Sequence, residues 1–414
     1  MRVPYNSAIL RDNNIKDKLI QFMNCRSLHG SELTTDDVWV ENGRILDAAT
    51  VFFDERRCAD IQVDCQGLIL SPGLIDIQIN GAFGIDFSSV AADEFVQKLN
   101  EVSKGLLKYG VTSFCPTIIT SQPSVYHLIL PLVGEVKRNS PGAAVLGAHI
   151  EGPFISVQKK GAHPIQNIKS DFGEDPVKTL LETYGSVENI AIFTVAPELH
   201  GSLDAIKYMS EKGVTVSIGH SSGRLVDGEK AFGAGATAIT HLFNAMNSYH
   251  HRDPGLFGLL TSKYLPPTSR LYYGIIADGI HTHDSALRIA YRTNPEGLIL
   301  ITDAIAAFGM GDGVLRLGDQ VINCKGLSAI VAGTNTTAGS VASLGFCVKH
   351  FTKAARCSLE EALYCATQKP AALLGIDKVK GTLSVGAIAD FILIDEEVNI
   401  KATYLSSKLV FSEN

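Results

Sequence analysis

The most constraining feature of this sequence is an alternation, repeated eight times between about residue 73 and residue 303, of short apolar runs with stretches of helical periodicity. Each run is nearly continuous in Val, Ile, Leu, Ala and Phe, as is typical of strands buried on both faces. Strand alternating with helix eight times predicts a closed (β/α)8 barrel of the α/β class. The runs are Leu74–Ile79, Val111–Thr117, Val145–Glu151, Ile190–Ala196, Val214–Gly219, Ala236–His241, Tyr272–Ala277 and Leu298–Asp303.

The two ends of the chain have a different pattern. Asp36–Phe53 alternates apolar and polar residues around an Asn-Gly pair that is typical of hairpins, and Ala59–Leu70 continues in the same style. Gly381–Phe411 also has the pattern of short strands. Because strands from the two ends most simply pair with each other, we predict a small discontinuous β-sandwich domain.

The predicted domain boundaries follow from these patterns. Residues 1–70 and 380–414 are assigned to the β-sandwich, and residues 71–379 to the barrel. Within the barrel portion, residues 304–375 are expected to supply loops and helices, including one helix over Leu359–Leu374. The glycine-rich run at 309–313 is expected to be a loop over the barrel mouth.

Four polar side chains stand where runs of the predicted barrel end. Glu151 closes the third run, His220 follows the fifth, His241 closes the sixth and Asp303 closes the eighth. Functional residues of such barrels collect at the carboxyl ends of the strands, so these four are expected on one rim. His149, on the same face as Glu151, is expected to pack behind the ligands instead of binding the ion.

This combination of side chains predicts a metal-dependent hydrolase. Glu151, His220 and His241 form a set that binds zinc and leaves a fourth position for water, as catalytic sites do. Water bound to a divalent cation loses its proton near neutral pH. A nearby carboxylate can take that proton and later deliver it to a leaving nitrogen, which predicts an acid–base role for Asp303.

Composition excludes several other classes of protein. The net charge of −7 and the absence of any Lys/Arg-rich run argue against a nucleic-acid partner. No run of about 18 apolar residues is present, and the N-terminus lacks a signal-like apolar segment, so no membrane partner is expected. The eight cysteines are scattered without a CxxC pair, which is typical of reduced thiols. A cytoplasmic enzyme is therefore expected.

At these residues the sequence resembles the N-acetylglucosamine-6-phosphate deacetylase family of the amidohydrolase superfamily. The resemblance runs along nearly the whole chain and is specific because its motifs occur in combination. They are SPGLID (71–76), HIEGPF (149–154), GHS (219–221), THLFNAM (240–246), RDPG (252–255), ADGIH (277–281), TDA (302–304) and GAIAD (386–390). It implies hydrolysis of N-acetyl-D-glucosamine 6-phosphate to D-glucosamine 6-phosphate and acetate, in amino-sugar catabolism or recycling, by a homodimer.

One departure from the wider superfamily bears on the number of metal ions. Many amidohydrolases carry a His-x-His pair on the first strand for a second metal, whereas this chain has Gln78-Ile79-Asn80, as is typical of the deacetylases. Because an amide is a poor ligand beside imidazole, one divalent ion is predicted. Zinc is the first choice, and iron and cobalt suit the same ligands.

The resemblance also implies how the substrate is bound. Ala162 and His163 match a pair that contacts the substrate, where an imidazole could bond a sugar hydroxyl. Arg252 lies on a loop positioned to bind the phosphate, for which its planar fork is suited. His281 matches a catalytic residue near the acetamide that polarises the carbonyl and stabilises the oxyanion. The full set of implied substrate contacts is Ala162, His163, Asn244, Ala245, Arg252, Asp278, Gly279, His281, Thr337, Ala338 and Gly339.

Two alternatives remain open at this point. One is another amidohydrolase reaction on the same frame, such as hydrolysis of a cyclic amide or a nucleobase; Arg252 and the acetyl-sugar motifs argue against it. The other is a non-catalytic scaffold that has kept the barrel and lost the metal. Metal analysis of the purified protein, together with an assay for acetate release, separates the scaffold from the enzyme.

Overall fold

The computed structural model describes residues 1–265, 270–317, 320–333 and 337–413. Contacts divide the chain into two compact units. The first comprises Met1–Ile75, Lys104–Ser113 and Leu344–Asn414, and the second comprises Asp76–Ser103 and Phe114–Ser343. The domain boundaries drawn from the sequence stay predictions.

Eight of the nine strands that form the barrel sheet of the described chain lie one in each predicted run, and the ninth is the two-residue strand Ala144–Val145 beside the second of them. The eight are β1 (Leu74–Ile79), β2 (Val111–Ile119), β3 (Ala148–Glu151), β4 (Ile190–Val195), β5 (Thr215–Ile218), β6 (Ala238–Ile239), β7 (Tyr272–Ile276) and β8 (Leu298–Ile301). They are neighbours in chain order, and β2 to β8 are parallel. A parallel bridge between Ile79 and Ala304 joins the first strand to the segment after the last. The predicted barrel fold is confirmed.

Helices alternate with these strands. The helix bounds are α1 (Ala92–Leu106), α2 (Pro123–Asn139), α3 (Pro176–Tyr184), α4 (Ser202–Glu211), α5 (Leu225–Ala234), α6 (Asp284–Thr293), α7 (Leu344–Phe351), α8 (Leu359–Tyr364) and α9 (Gln368–Leu373). The first five follow β1 to β5 in turn, and a 3-10 helix at Gly255–Thr261 follows β6. No helix in the described part of the chain is both long and apolar enough to cross a bilayer.

The first unit contains two sheets built from both ends of the chain. In one, Phe391–Ile394 runs antiparallel to Ile69–Pro72, which lies beside Arg26–His29. Its full order is Lys408–Ser412, Ile400–Leu405, Phe391–Ile394, Ile69–Pro72, Arg26–His29 and Glu32–Thr34. The other sheet has the order Arg2–Pro4, Ile61–Asp64, Ile20–Met23, Val38–Glu41 and Arg44–Leu46.

One hydrophobic core joins the two sheets of the first unit. Phe22 of one sheet meets Phe391 and Tyr404 of the other edge-on, with ring centroids 4.8 and 5.2 Å apart. All three side chains are buried. The predicted pairing of the two chain ends in a small β domain is therefore confirmed.

Two details after residue 304 differ from the prediction. Gly313–Leu317, Gln320–Lys325 and Ser328–Val331 form a three-stranded antiparallel sheet instead of loops and helices. Burial of Ile322 and Cys324 shows the period of two that marks a strand. The predicted helix over Leu359–Leu374 is two helices, α8 and α9, since Pro370 has no N–H for a continuous ladder.

Candidate active site

The structure brings three of the predicted residues together at the ends of β3, β5 and β6. Glu151 Oε1 lies 3.0 Å from His220 Nε2 and 2.9 Å from His241 Nε2. The two imidazole Nε2 atoms are 3.0 Å apart. All three side chains are buried, and among the described residues they form the one group of at least three His, Cys, Asp or Glu side chains placed to hold a metal ion.

The chain turns sharply at several of these positions. His220, His241 and Asp303 have φ values of 47°, 29° and 49°, a region that residues with a side chain rarely adopt. Such conformations cost about 1–3 kcal/mol each and persist where the surrounding structure fixes them. Hydrogen bonds fix the Asp303 turn, because its N–H donates to the carbonyl of Gln78 at 2.9 Å and its carbonyl accepts from Ser340 at 3.4 Å.

The chemistry of the donor atoms fits a divalent cation. Nδ1 of His220 lies 2.8 Å from the carbonyl oxygen of Lys159, which can only accept, so Nδ1 carries a proton and Nε2 is the ring atom that faces Glu151 and that a metal ion would take as its ligand. Burial by itself would raise the pKa of Glu151, but hydrogen bonds from His220 and His241 outweigh it and hold the pKa well below its usual value. A carboxylate oxygen and two imidazole nitrogens that lie within 3.0 Å of one another are a set of ligands that zinc takes.

Two amides, one in β1 and one directly after it, hold the carboxylates of the site. Gln78 Nε2 donates to Glu151 Oε1 at 3.0 Å and lies 3.4 Å from Asp303 Oδ1, while Asn80 Nδ2 donates to Asp303 Oδ1 at 2.7 Å. An amide nitrogen has no lone pair for a metal. Gln78 and Asn80 therefore orient Glu151 and Asp303, in keeping with the prediction of one metal ion.

Asp303 has the electrostatic environment of an acid–base group. Burial, and then the negative charge of Glu151, raise its pKa to about 6, against the opposing effects of His241, Asn80 and His281. A carboxyl whose pKa lies near the working pH can both accept and return a proton.

Asp278 and His281 form a hydrogen-bonded pair after β7. Asp278 Oδ2 lies 2.6 Å from His281 Nδ1, and its Oδ1 accepts from the backbone N–H groups of Ile280 and His281 at 2.9 and 2.8 Å. The Nδ1 of His281 therefore carries a proton, and Nε2 is left for a ligand. In the structure both oxygens of Asp278, which was predicted as a substrate contact, accept hydrogen bonds from protein donors. The adjacent Gly279 allows this turn, with φ of 77°.

His163 lies beside the metal-binding group. Its ring centroid is 4.4 Å from that of His220, and its Nδ1 is 2.8 Å from Thr120 Oγ1. Burial, with a smaller effect of the His220 charge, lowers the pKa of His163 to about 3, so the ring is neutral. Ala162, predicted with it, is exposed.

The loop after β6 carries three of the predicted substrate contacts. Ala245 is tied to the loop of His220, because its carbonyl accepts from the Ser221 N–H at 3.1 Å. Asn244 Nδ2 is buried and has no partner among the described residues, so it is free to bind a ligand. Arg252 is exposed, and its backbone N–H donates to His250 Nδ1 at 3.3 Å.

Residues 337–339 lie next to the Asp303 turn. Ala338 donates its N–H to the carbonyl of Ala329 at 2.8 Å, and the following residue, Ser340, bridges to Ala304. At Gly339, with φ of 142°, a Cβ would lie 2.4 Å from Ile305 Cγ2. Only glycine permits this close approach. Thr337 is exposed.

Sequence reasoning missed a residue that supports His220. Glu198, three residues after β4, accepts from Ser221 Oγ at 2.6 Å and from the Ser222 N–H at 2.7 Å. It holds the loop that carries His220, as partners behind metal ligands commonly do. Its position after a strand end was the available signal. His149, as expected, hydrogen-bonds elsewhere, to the carbonyl of Ile77 at 2.9 Å and to Thr194 Oγ1 at 2.8 Å.

Asp76 is a second residue that sequence reasoning missed. Its Oδ2 accepts from Thr302 Oγ1 at 2.6 Å, which ties β1 to the residue before Asp303. The carboxyl is buried, and burial raises its pKa to about 7 even though hydrogen bonds from Thr302 and Gln78 oppose this. The folded protein therefore binds the Asp76 proton more tightly than the unfolded chain does.

A pH-dependent stability is expected from Asp76. Because its folded pKa is raised, its stabilising contribution is fully present below its unfolded pKa of 3.8 and is lost as pH rises to about 7. Relative to Asp76→Asn, the wild type should lose about 2–3 kcal/mol of unfolding free energy between about pH 5 and pH 7. Urea titrations followed by circular dichroism measure this. A difference that is constant with pH would contradict the prediction.

Sequence comparison places the chain among known enzymes. Residues 69–412 match the model of the amidohydrolase family. The chain is 59% identical over 399 residues to N-acetylglucosamine-6-phosphate deacetylase of Caenorhabditis elegans, covering 96% of each chain. It is 51% identical over 395 residues to the enzyme of that name from Homo sapiens, covering 95% of this chain and 96% of the human one.

Solved structures give the same result. N-acetylglucosamine-6-phosphate deacetylase from Pasteurella multocida superimposes with a TM-score of 0.83 at 27% identity, covering 95% of this chain and 100% of that chain. A mutant of the Mycobacterium smegmatis enzyme, in complex with N-acetyl-D-glucosamine-6-phosphate, superimposes with a TM-score of 0.79 at 28% identity. The match covers 95% of this chain and 99% of that chain. The chain therefore belongs to the amidohydrolase family, and within it to the N-acetylglucosamine-6-phosphate deacetylases.

Proposed function

We propose that this chain hydrolyses the acetamide of N-acetyl-D-glucosamine 6-phosphate, releasing D-glucosamine 6-phosphate and acetate in amino-sugar catabolism or recycling. The observation that carries the proposal is the buried group of Glu151, His220 and His241, with Asp303 tied to it through Gln78. The identity of 59% to an N-acetylglucosamine-6-phosphate deacetylase over nearly the whole chain supports this substrate.

Glu151, His220 and His241 would hold one divalent ion. When bound, such an ion lowers the pKa of a water molecule and polarises a carbonyl oxygen. We propose zinc, since imidazole and carboxylate suit it, although iron and cobalt share these ligands.

Asp303 moves the protons of the reaction. Its carboxylate accepts a proton from the attacking water as the water oxygen bonds to the acetyl carbon. The same carboxyl then donates that proton to the sugar nitrogen as the C–N bond breaks, so that acetate and the amine leave. Asn80, 2.7 Å from Asp303 Oδ1, keeps the carboxyl in place through both transfers.

His281 stabilises the carbonyl oxygen while negative charge develops on it. Asp278 fixes the ring through Nδ1, and hydrogen bonding to Asp278 and its negative charge raise the pKa of His281 against the effect of burial. A proton is thus favoured on Nε2 as well. A charged donor aimed at a developing oxyanion is among the larger contributions to catalysis.

The substrate phosphate is assigned to Arg252. Removal of charge-assisted hydrogen bonds worth about 1.5–3 kcal/mol should raise KM for the phosphorylated sugar about 10- to 100-fold in Arg252→Ala, with kcat little changed. Arg252→Lys keeps the charge but not the planar fork, so its KM for the phosphorylated sugar should lie between those of the wild type and Arg252→Ala. Steady-state kinetics with N-acetylglucosamine and its 6-phosphate measure the effect. An equal loss with both sugars would show that Arg252 does not bind the phosphate.

An acetate-release assay tests the proposed function directly. Chelated protein and metal-restored protein are compared on N-acetyl-D-glucosamine 6-phosphate. Acetate should form only in the restored sample, and no acetate there would refute the proposal. A homodimer and a cytoplasmic location remain predictions from the sequence.

A further inference from the structure

The two ring nitrogens of His163 have different surroundings, and this difference determines which of them carries the proton. On one side of the ring, Nδ1 lies 3.4 Å from the backbone N–H of Thr120 and 2.8 Å from Thr120 Oγ1. A backbone N–H can only donate, so Nδ1 must accept and carries no proton. In the neutral ring the proton therefore lies on Nε2.

The other side of the ring is available to a ligand. The His163 side chain is buried, yet none of the described residues hydrogen-bonds to its Nε2. The ring lies against that of His220, with centroids 4.4 Å apart, so this free donor stands beside the metal-binding group. His163 Nε2 is not among the fully buried polar atoms that lack a partner, so it keeps some exposed surface through which a ligand oxygen can reach it.

We infer that Thr120 is a positioning residue, which fixes the Nε2–H tautomer of His163 so that the ring donates a hydrogen bond to an oxygen of the bound sugar phosphate. The inference rests on the proposed function, which places the substrate at this site. The role of Thr120 goes beyond the proposed function, because Thr120 lies behind His163 and acts on the substrate only through that ring.

Gly152 independently supports the contact between the Thr120 hydroxyl and His163, because a side chain at this position would disrupt it. A Cβ at Gly152, where φ is 88°, would lie 2.2 Å from Thr120 Oγ1 and 3.6 Å from His163 Nδ1. A side chain there would therefore displace the hydroxyl from His163. The glycine that follows Glu151 thus makes room for the Thr120–His163 contact, and the Tyr184 hydroxyl anchors it by donating to the Gly152 carbonyl at 2.9 Å.

The recognised group is an oxygen that accepts a hydrogen bond, which the sugar hydroxyls and the phosphate both offer. Only a hydrogen bond to the phosphate is lost when the substrate carries no 6-phosphate. Measuring each variant on N-acetylglucosamine and on its 6-phosphate therefore separates the two sources. We expect equal effects on both, which identifies a sugar hydroxyl, whereas an effect confined to the phosphorylated sugar identifies a phosphate oxygen.

Two matched pairs of variants test the inference through kinetics. Thr120→Val removes the hydroxyl and keeps the volume, while Thr120→Ser restores it. His163→Gln places an amide N–H near the position of Nε2, while His163→Asn places it near Nδ1. Loss of one hydrogen bond predicts a rise in KM of about three- to tenfold in Thr120→Val and His163→Asn, with kcat little changed. Thr120→Ser should bring KM back toward the wild-type value, and KM of His163→Gln should lie between that of the wild type and that of His163→Asn. An unchanged KM in Thr120→Val would overturn the inference.

A spectroscopic measurement does not depend on turnover. In protein labelled with 15N-histidine, the His163 signals are those lost in His163→Gln, and their shifts report which ring nitrogen carries the proton. The wild type, with or without metal, should show the Nε2–H form, and Thr120→Val should show both tautomers. A proton on Nδ1 in the wild type would overturn the inference. Wild-type protein with the Nε2–H form but no acetate release would instead refute the proposed function alone.

Discussion

Replacing Asp303 by asparagine is expected to lower kcat about 10²- to 10⁴-fold, the usual contribution of a positioned acid–base group. Asparagine keeps the shape of the side chain and an oxygen that accepts from Asn80 Nδ2, now 2.7 Å from Asp303 Oδ1. It cannot take a proton from water. Because Glu151, His220 and His241 are untouched, metal content should stay at the wild-type level.

Two measurements separate the acid–base role from other roles of Asp303. Metal analysis by mass spectrometry should give equal metal in wild type and Asp303→Asn, and calorimetry should show that the slow variant still binds the phosphorylated sugar. If metal were lost together with activity, Asp303 would be a ligand. Near-native turnover would remove it from the mechanism altogether.

The positions of the barrel strands could be predicted because each is an apolar run buried on both faces. Every residue of Leu298–Ile301 is buried, for example, and a continuous run of that kind is visible in the sequence. The sheet at 313–331 was missed because its alternation is short and glycine-interrupted. Its buried residues, such as Ile322 and Ala329, pack only in a small local core.

The site could be predicted to the extent that it depends on strand ends. Glu151, His220 and His241 each end or follow a strand, and the barrel geometry alone brings such residues to one rim. Sequence reasoning could not assign what lies behind them. Thr120 meets His163 across 43 residues and Glu198 meets Ser221 across 23, and contacts of that kind depend on how loops pack.

Asp278 illustrates the same limit within a recognised motif. The ADGIH motif marks the segment, but the letters do not say whether the carboxylate faces the ligand or the chain. In the structure its oxygens accept from Ile280 and His281 of the same turn, with the His281 ring nitrogen at 2.6 Å. The structure therefore places Asp278 where it holds His281, and a contact of either residue with substrate stays a prediction.

Removing a metal ligand is expected to have the other large effect. His241→Ala deletes one of three donors, and Glu151→Gln replaces a carboxylate by an amide of the same shape. Loss of a partner behind a ligand already costs about 10- to 100-fold in metal affinity, so loss of a ligand itself should leave the purified protein without stoichiometric metal. Metal-dependent release of acetate should then fall to the background of the chelated wild type.

The matched control is His29→Ala, which removes an exposed imidazole of the first unit and should change neither metal content nor turnover. The wild-type protein should bind one equivalent of metal ion, because Gln78 and Asn80 offer amide nitrogens where a second metal ion would need imidazoles. Two equivalents would contradict the one-metal site. Full metal with lost activity in Glu151→Gln would move Glu151 from the ligand set to the chemistry, because the amide preserves shape and removes only charge.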